Sequence, residues 1–404
     1  MMTKIKKIAV LSAMLLSAFA MRAWGGSVTG GAYDGVLASI VGSLEQRGFS
    51  NIRASESPDR VVLALECDSY KIPSEGFAVA CALVRDILGD DGRVIKIIGL
   101  NIGVPEVTMT YDPGRGAWST TRRLDDSWDE VRSQPKVASS AGKTDILIYP
   151  QVSLKNLIIN QVYQSLWQLS PALEVSLWPG MKFTYQLKLP IYNDGYGQLE
   201  DKIHPGMISL SQRFRDPWHL NINGKLTLGY FSNNRYGAAL EMEYWFPDER
   251  FWVDTQLAYL GNSYWDGFIF RYDRNMYFRW NVAFNCYIPM IDTQFILRAQ
   301  RFLLGDIGLK YEMIRHFNRC SVGLYAEKSL HADMNVGFRF QIALPPYRHA
   351  RNGYRPRVSL SRQMGMSYNA NNEQYYYKEF RTEASDNIMS RNYFNPCYIN
   401  SYLQ

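Results

Sequence analysis

From about residue 144 onward, polar and apolar residues alternate along the chain. In "MKFTYQLKL", Met181, Phe183, Tyr185, Leu187 and Leu189 interleave with Lys182, Thr184, Gln186 and Lys188. In "MYFRWNVAFNC", Met276, Phe278, Trp280, Val282 and Phe284 share one face, and Arg279, Asn281, Ala283 and Asn285 share the other. "MNVGFRFQI" repeats this with Met334, Val336, Phe338, Phe340 and Ile342 set against Asn335, Gly337, Arg339 and Gln341. A period of two marks a strand with two unlike faces. Shorter versions at 145–154, 171–178, 219–231, 250–260, 293–302, 306–314 and 320–328 bring the predicted strands to about a dozen. Many approach the ~9–11 residues that cross a bilayer as a tilted strand.

Before residue 112 the pattern is different. "DGVLASIVGSLEQRG" puts Val36, Leu37, Ile40, Val41 and Leu44 on one helical face, and Gly48 suits the C-cap. "NIRASES" and "RVVLALECDSY" predict strands, "EGFAVACALVRDIL" a second helix, and "RVIKIIGL" and "EVTMTYD" two more strands. The expectation is a small α+β domain over 33–111. A polar, aperiodic linker follows over 112–143, then the alternating strands over 144–364. An Asn/Tyr-rich tail over 365–404 is expected to be irregular, with a lumen plug or a saccharide-stacking surface as alternatives.

Two all-β architectures fit the alternation. A soluble sandwich turns its apolar faces inward, whereas a membrane barrel turns them to lipid and keeps a polar lumen. Three features favour the barrel. Large aromatics (Tyr185, Trp280, Phe340) end the apolar faces, the polar faces mix Gly, Asn, Gln and both charges, and the strands exceed the ~5–6 residues usual in soluble sheets. "NDGYGQLEDKIHPG" and "NSYWDGFIFRYDRN" are expected to be the longer loops.

The start of the chain sharpens this. Lys4, Lys6 and Lys7 precede "IAVLSAMLLSAFA", and Ala18 and Ala20 complete a signal-peptide pattern over 1–20. No later stretch reaches the ~18 apolar residues of a membrane helix. The chain is expected to be exported to the outer membrane of a Gram-negative cell, with the α+β domain in the periplasm and outer-membrane lipid around the barrel. Aromatics make up 14% of the chain, with 27 tyrosines, a composition that suits membrane interfaces. The net charge of +6 over 404 residues comes without a Lys/Arg cluster, which argues against nucleic acid as a partner. The cysteines Cys67, Cys81, Cys286, Cys320 and Cys397 match no metal spacing; a Cys67–Cys81 bridge and buried free thiols both remain open.

The one constellation that suggests chemistry is "YGAALEMEYWF". Glu241 and Glu243 lie two residues apart on a predicted strand, so their side chains share a face ~7 Å apart. That separation falls between the carboxylate spacings of retaining and inverting glycosidases. The competing reading is a lumen charge network of Lys225, Glu241, Glu243, Asp254, Arg279, Arg298, Lys310, Glu312 and Arg339, in which these charges neutralise one another. On that reading no residue is catalytic and no cofactor or metal is expected.

"GYFSNNRYGAALEMEYWFPDERFWVDTQLAYLGN" and "RAQRFLLGDIGLKYEMIRHFNRCSVGLYAEKS" resemble the YjbH/GfcD family of outer-membrane β-barrel proteins. The residues that carry the resemblance are Gly229, Phe231, Tyr236, Gly237, Glu243, Phe246, Pro247, Arg250, Arg301, Leu304, Gly305, Asp306 and Gly308. "LEQRGFSNI" and "LNIGVPEVTMTY" are similar to the family's small α/β module. Better-known members are longer, with a second barrel and a second module. The resemblance implies a non-enzymatic role in production or export of surface exopolysaccharide or capsule. It also implies periplasmic polysaccharide-assembly proteins as partners, and the polysaccharide itself as a further one. A polysaccharide-modifying enzyme and a glycan-binding adhesin are the alternatives. The expected fold is mainly β, an antiparallel outer-membrane barrel of about 12 strands preceded by the small α+β domain.

Overall fold

The computed structural model describes residues 33–156, 163–353, 355–369, 372–375, 378–385 and 388–403. The expected signal peptide over 1–20 lies outside the described residues. Helix α1 (Gly35–Gln46) buries Ile40, Val41 and Leu44, three of the residues on its predicted apolar face. Strands β1 (Ser50–Glu56) and β2 (Arg60–Glu66) follow, then α2 (Pro73–Leu88), β3 (Val94–Asn101) and β4 (Val104–Asp112). Both helices pack on one face of the sheet, around Phe49, Leu63, Phe77, Ile97 and Met109. β2 and β3 are parallel, with α2 as the crossover between them. Cys67 and Cys81 are both buried free thiols.

The segment over 112–143, expected as a linker, builds structure instead. β5 (Ala117–Thr121) adds a fifth strand beside β4. Helix α3 (Asp126–Arg132), capped by Asp125, covers the other sheet face by burying Val131 against Val62, Ala64, Ile98 and Leu100. Its polar surface hid this from sequence, because a two-turn helix needs only one or two buried side chains.

Twelve strands then run as an antiparallel meander. They are β6 (Thr144–Asn156), β7 (Tyr163–Trp178), β8 (Met181–Asn193), β9 (His204–Arg215), β10 (Ile222–Phe231) and β11 (Arg235–Trp245), then β12 (Phe251–Asp266), β13 (Ile269–Ile288), β14 (Thr293–Arg301), β15 (Ile307–His316), β16 (Cys320–Ser329) and β17 (Ala332–Ala343). Two short strands, β18 (Arg357–Leu360) and β19 (Gln363–Asn369), bring the sheet to 14. β18 pairs with β6 and β19 with β17, so the stretch 357–369 bridges the two edges and nearly closes a barrel. The switch of partner falls at Ser361, whose N–H donates to Ile148 O at 2.9 Å, and Arg362, whose carbonyl accepts from Leu344 N at 3.0 Å. Twelve alternating strands leave the two edges pointing in opposite directions. One extra bridging segment must therefore pair in parallel on one side, and β18 is parallel to β6. The sheet thus reaches Asn369, beyond the boundary expected at 364.

The alternation read from sequence settles which face is inside. On β13, Arg279, Ala283, Asn285 and Tyr287 are buried, while Phe278, Val282, Phe284 and Ile288 are exposed. On β17, Asn335 is 0% exposed and Gln341 3%, whereas Met334 is 61% and Val336 45%. Polar residues are inside and apolar residues outside, the inverse of a sandwich. The stretch expected as a loop around Ser263–Asn275 is a β-ribbon, because β12 and β13 continue past their neighbours to a turn at Gly267. Gly229 and Gly237 face each other across β10 and β11 with φ of +147° and +143°. A Cβ at these positions would lie 2.0 Å from Ile208 O and 2.1 Å from Tyr259 O, so only glycine permits this close approach of strands.

Candidate functional site

The lumen is filled. After β19 the chain turns into the barrel through the short helix α4 (Asn372–Tyr375), and the described parts of 378–395 lie within it. The chain leaves at the end where the α+β domain sits, finishing as helix α5 (Pro396–Leu403). The tail expected to be irregular is therefore the lumen plug that stood as its alternative. At the far end, Lys378 Nζ bonds Asp306 at 2.8 Å and Ser329 at 3.0 Å. In the middle, the Ala384 carbonyl accepts from Gln151 and Gln186, and Ile388 packs on Ala283, Ile296 and Ile314. At the near end Ile399 is buried within the core of the α+β domain.

The nine residues picked out in sequence fall into separate groups. Lys225 on β10 lies 2.6 Å from Glu241 on β11 and 3.0 Å from Glu383 of the plug. Glu241 also accepts from Gln256 at 3.0 Å and from Thr382 at 2.6 Å. Glu243 instead pairs with Arg122, at 3.0 Å, and Arg122 is held by the buried Glu106 at 3.1 Å. The two carboxylates that suggested a glycosidase are thus each bound to a different cation.

Deeper in the lumen, Lys310 meets Glu379 of the plug at 2.8 Å and Glu327 at 3.4 Å. Glu312 takes Arg391 of the plug at 3.1 Å and Arg339 at 3.5 Å. Asp254 accepts from Asn285 at 2.7 Å and faces Arg298 at 3.8 Å. Arg279, though 5% exposed, makes no ion pair or hydrogen bond among the described residues. Burial of so many charges is tolerable only because nearly all are paired.

Sequence reasoning named both halves of Lys225–Glu241, Asp254–Arg298 and Glu312–Arg339, and missed the partners that lie outside the barrel wall. Glu379, Glu383 and Arg391 lie in the tail, and Glu106 and Arg122 lie in the α+β domain and the supposed linker. The available signal was the tail's run of Lys378, Glu379, Arg381 and Glu383, a charge density that an Asn/Tyr-rich surface segment does not need.

The domain seals the near mouth of the barrel. Gly180 N donates to Ile102 O at 2.7 Å, Thr121 Oγ1 to Glu249 at 2.7 Å, and Asn223 Nδ2 to Glu106 at 2.7 Å. Glu66, at the end of β2, is buried here beside Asn51 and Ser140. Burial, reinforced by the neighbouring Asp68, pushes its carboxyl up to about 7, against hydrogen bonds from Ile102, Asn51 and Ser140 that favour the charged form. A cavity of ≈ 400 Å³ lies at this junction and another of ≈ 320 Å³ lies in the lumen beside the plug. Among the described residues, no group of three or more His, Cys, Asp or Glu is arranged to hold a metal ion.

Compared with known proteins, the chain matches no family model and no curated protein. The geometry itself is what defines the site: a polar lumen, closed by the chain's own C-terminal segment and cross-braced by ion pairs between wall and plug.

Proposed function

We propose that the protein is an outer-membrane β-barrel, with its α+β domain in the periplasm, that takes part in production or export of a surface polysaccharide without catalysing a reaction. The observation that carries the membrane reading is the inverted barrel, with two aromatic clusters on its outer face. Away from the domain, Tyr236 packs with Phe270 and Tyr272, and Tyr230 with Trp265. On the domain side, Tyr244 packs with Phe246, and Phe284 with Phe251. Tyr236 and Tyr244 are eight residues apart on β11, about 27 Å along a strand, or about 20 Å in height at the ~40° tilt of such barrels. That height approaches the ~25 Å apolar band, flanked by aromatic girdles, of an outer-membrane barrel.

The polysaccharide role rests on the resemblance of the β10–β12 and β14–β16 segments to the YjbH/GfcD family. Within it, the plug favours anchoring over conduction, because the polar path is occupied. The domain, whose core includes Ile399 of the plug helix, presents the periplasmic face to assembly partners. Neutralisation of Glu241 and Glu243 by different cations argues against the enzyme alternative.

Leu297, 53% exposed in the middle of β14, tests the placement. Leu297→Arg should cost about 2–4 kcal/mol in a membrane and block barrel assembly; in a water-soluble barrel it should be silent. Deleting the chain from its host should abolish a surface polysaccharide and re-expression should restore it. Unchanged polysaccharide would remove the functional half of the proposal.

A further inference from the structure

Arg279 stands out against the pairing of the lumen. Its neighbours Ala283 and Asn285 on the same face of β13 are buried and so is Arg279, at 5% exposure, yet its Nη1 is a buried donor with no acceptor. The charged groups nearest in influence are Arg301, Arg235 and Asp306, and Asp306 is already taken by Lys378 at 2.8 Å and Ser329 at 3.0 Å. A buried guanidinium without a counter-ion is expensive, and ordinarily such a group is paired. This one borders the ≈ 320 Å³ lumen cavity.

The cavity wall also carries carboxylates, but Glu241, Glu243, Asp254 and Glu379 are each engaged by a cation other than Arg279, and amides stand between them. Asn281 donates to Gln256 at 3.1 Å, Gln256 donates to Glu241 at 3.0 Å, and Gln300 donates to Glu379 at 3.1 Å. This chain of donation holds the amides rigidly and leaves Asn281 Oδ1 and Gln300 Oε1 without a partner among the described residues. Phe380 of the plug, packed on Phe231 at 5.9 Å between ring centres, supplies an apolar wall.

We propose that this cavity binds a single acidic sugar ring, a uronate, with its carboxylate on Arg279. The planar guanidinium matches a carboxylate bidentately. The amide oxygens accept from ring hydroxyls, and the C–H face of the sugar packs on Phe380. The volume sits at the low end of ligand cavities, about 300 Å³, which suits one ring and not a chain. The inference rests on the polysaccharide role proposed above and names its chemical class.

The test is titration calorimetry of the full chain in detergent with glucuronate, glucose and sulfate. Glucuronate is expected to bind at least ten-fold more tightly than glucose or sulfate, and Arg279→Gln to remove that margin. Without ligand, Arg279→Gln is expected to unfold at the same or a higher temperature, because it removes an unpaired buried charge. A lower unfolding temperature would mark Arg279 as structural and overturn the proposal. Equal binding of glucose, equal binding of sulfate, or no binding of glucuronate would also overturn it. Should Arg279→Gln fail to fold, Arg279→Lys keeps the charge without the fork and is expected to weaken glucuronate several-fold; unchanged affinity contradicts the assignment. If the barrel reading itself fails, the unheated chain shows no fast-migrating band on a gel. If only this inference fails, that band is present and glucuronate binding is not.

Discussion

Glu383, carried by the plug, sits 3.0 Å from Lys225 on the barrel wall, and the same ammonium lies 2.6 Å from Glu241. One buried cation thus joins two strands and the C-terminal segment. Lys225→Met leaves two carboxylates facing each other without it, and a broken buried pair costs about 3–5 kcal/mol. The expected result is a marked fall in the unfolding temperature of the detergent-solubilised chain. Adding Glu241→Gln and Glu383→Gln to Lys225→Met should recover most of the loss. No recovery would mean that the ammonium's packing, and not its charge, is what matters.

The plug predicts a closed lumen. The intact chain in a planar bilayer should carry no steady current, whereas a chain ending at residue 371 should conduct in steps. Equal conductance of the two chains would show that the plug does not occupy the path. A smaller change, Glu379→Gln, leaves Lys310 with Glu327 as its carboxylate and Arg339 with Glu312. It should produce brief openings without unfolding the barrel.

The enzyme alternative makes the opposite forecast for the glutamates. Glu241→Gln and Glu243→Gln should each lower the unfolding temperature, because each removes one of the two carboxylates around a buried cation, leaving Lys225 with Glu383 alone or Arg122 with Glu106 alone. Full stability combined with loss of a polysaccharide-degrading activity would revive the catalytic pair.

Glu66 gives the junction a pH dependence. Its carboxyl in the folded chain is raised from its ordinary value of 4.5 to about 7, chiefly by burial. A folded pKa above the unfolded one favours folding fully below pH ~4.5, and the contribution is lost as pH rises through about 7. The difference in unfolding temperature between the parent chain and Glu66→Gln should therefore shift against the parent between pH 4.5 and pH 7. A difference that is flat over this window would show that Glu66 is solvated at the junction.

Period two is a local signal, so the faces of β13 and β17 were legible residue by residue: Arg279 and Asn335 inside, Val282 and Val336 outside. The plug was not, because in its described parts backbone groups such as the Ala384 carbonyl are met by wall side chains, Gln151 and Gln186, which requires no periodicity in the plug's own sequence. Arg122 was equally hidden. Its meaning lies in Glu106 and Glu243, the latter 121 residues away along the chain. The ribbon beyond Gly261 was read as a loop because Tyr264, Trp265, Phe268, Ile269 and Phe270 cluster without alternating.

The most direct test of the membrane barrel is gel migration of the chain from fractionated cells, with and without heating. The account predicts that the chain is found in the outer-membrane fraction and needs detergent to leave it. It also predicts a compact, fast-migrating band that converts to the full apparent mass only on boiling. A chain recovered monodisperse from the soluble fraction without detergent, migrating identically before and after heating, would contradict it.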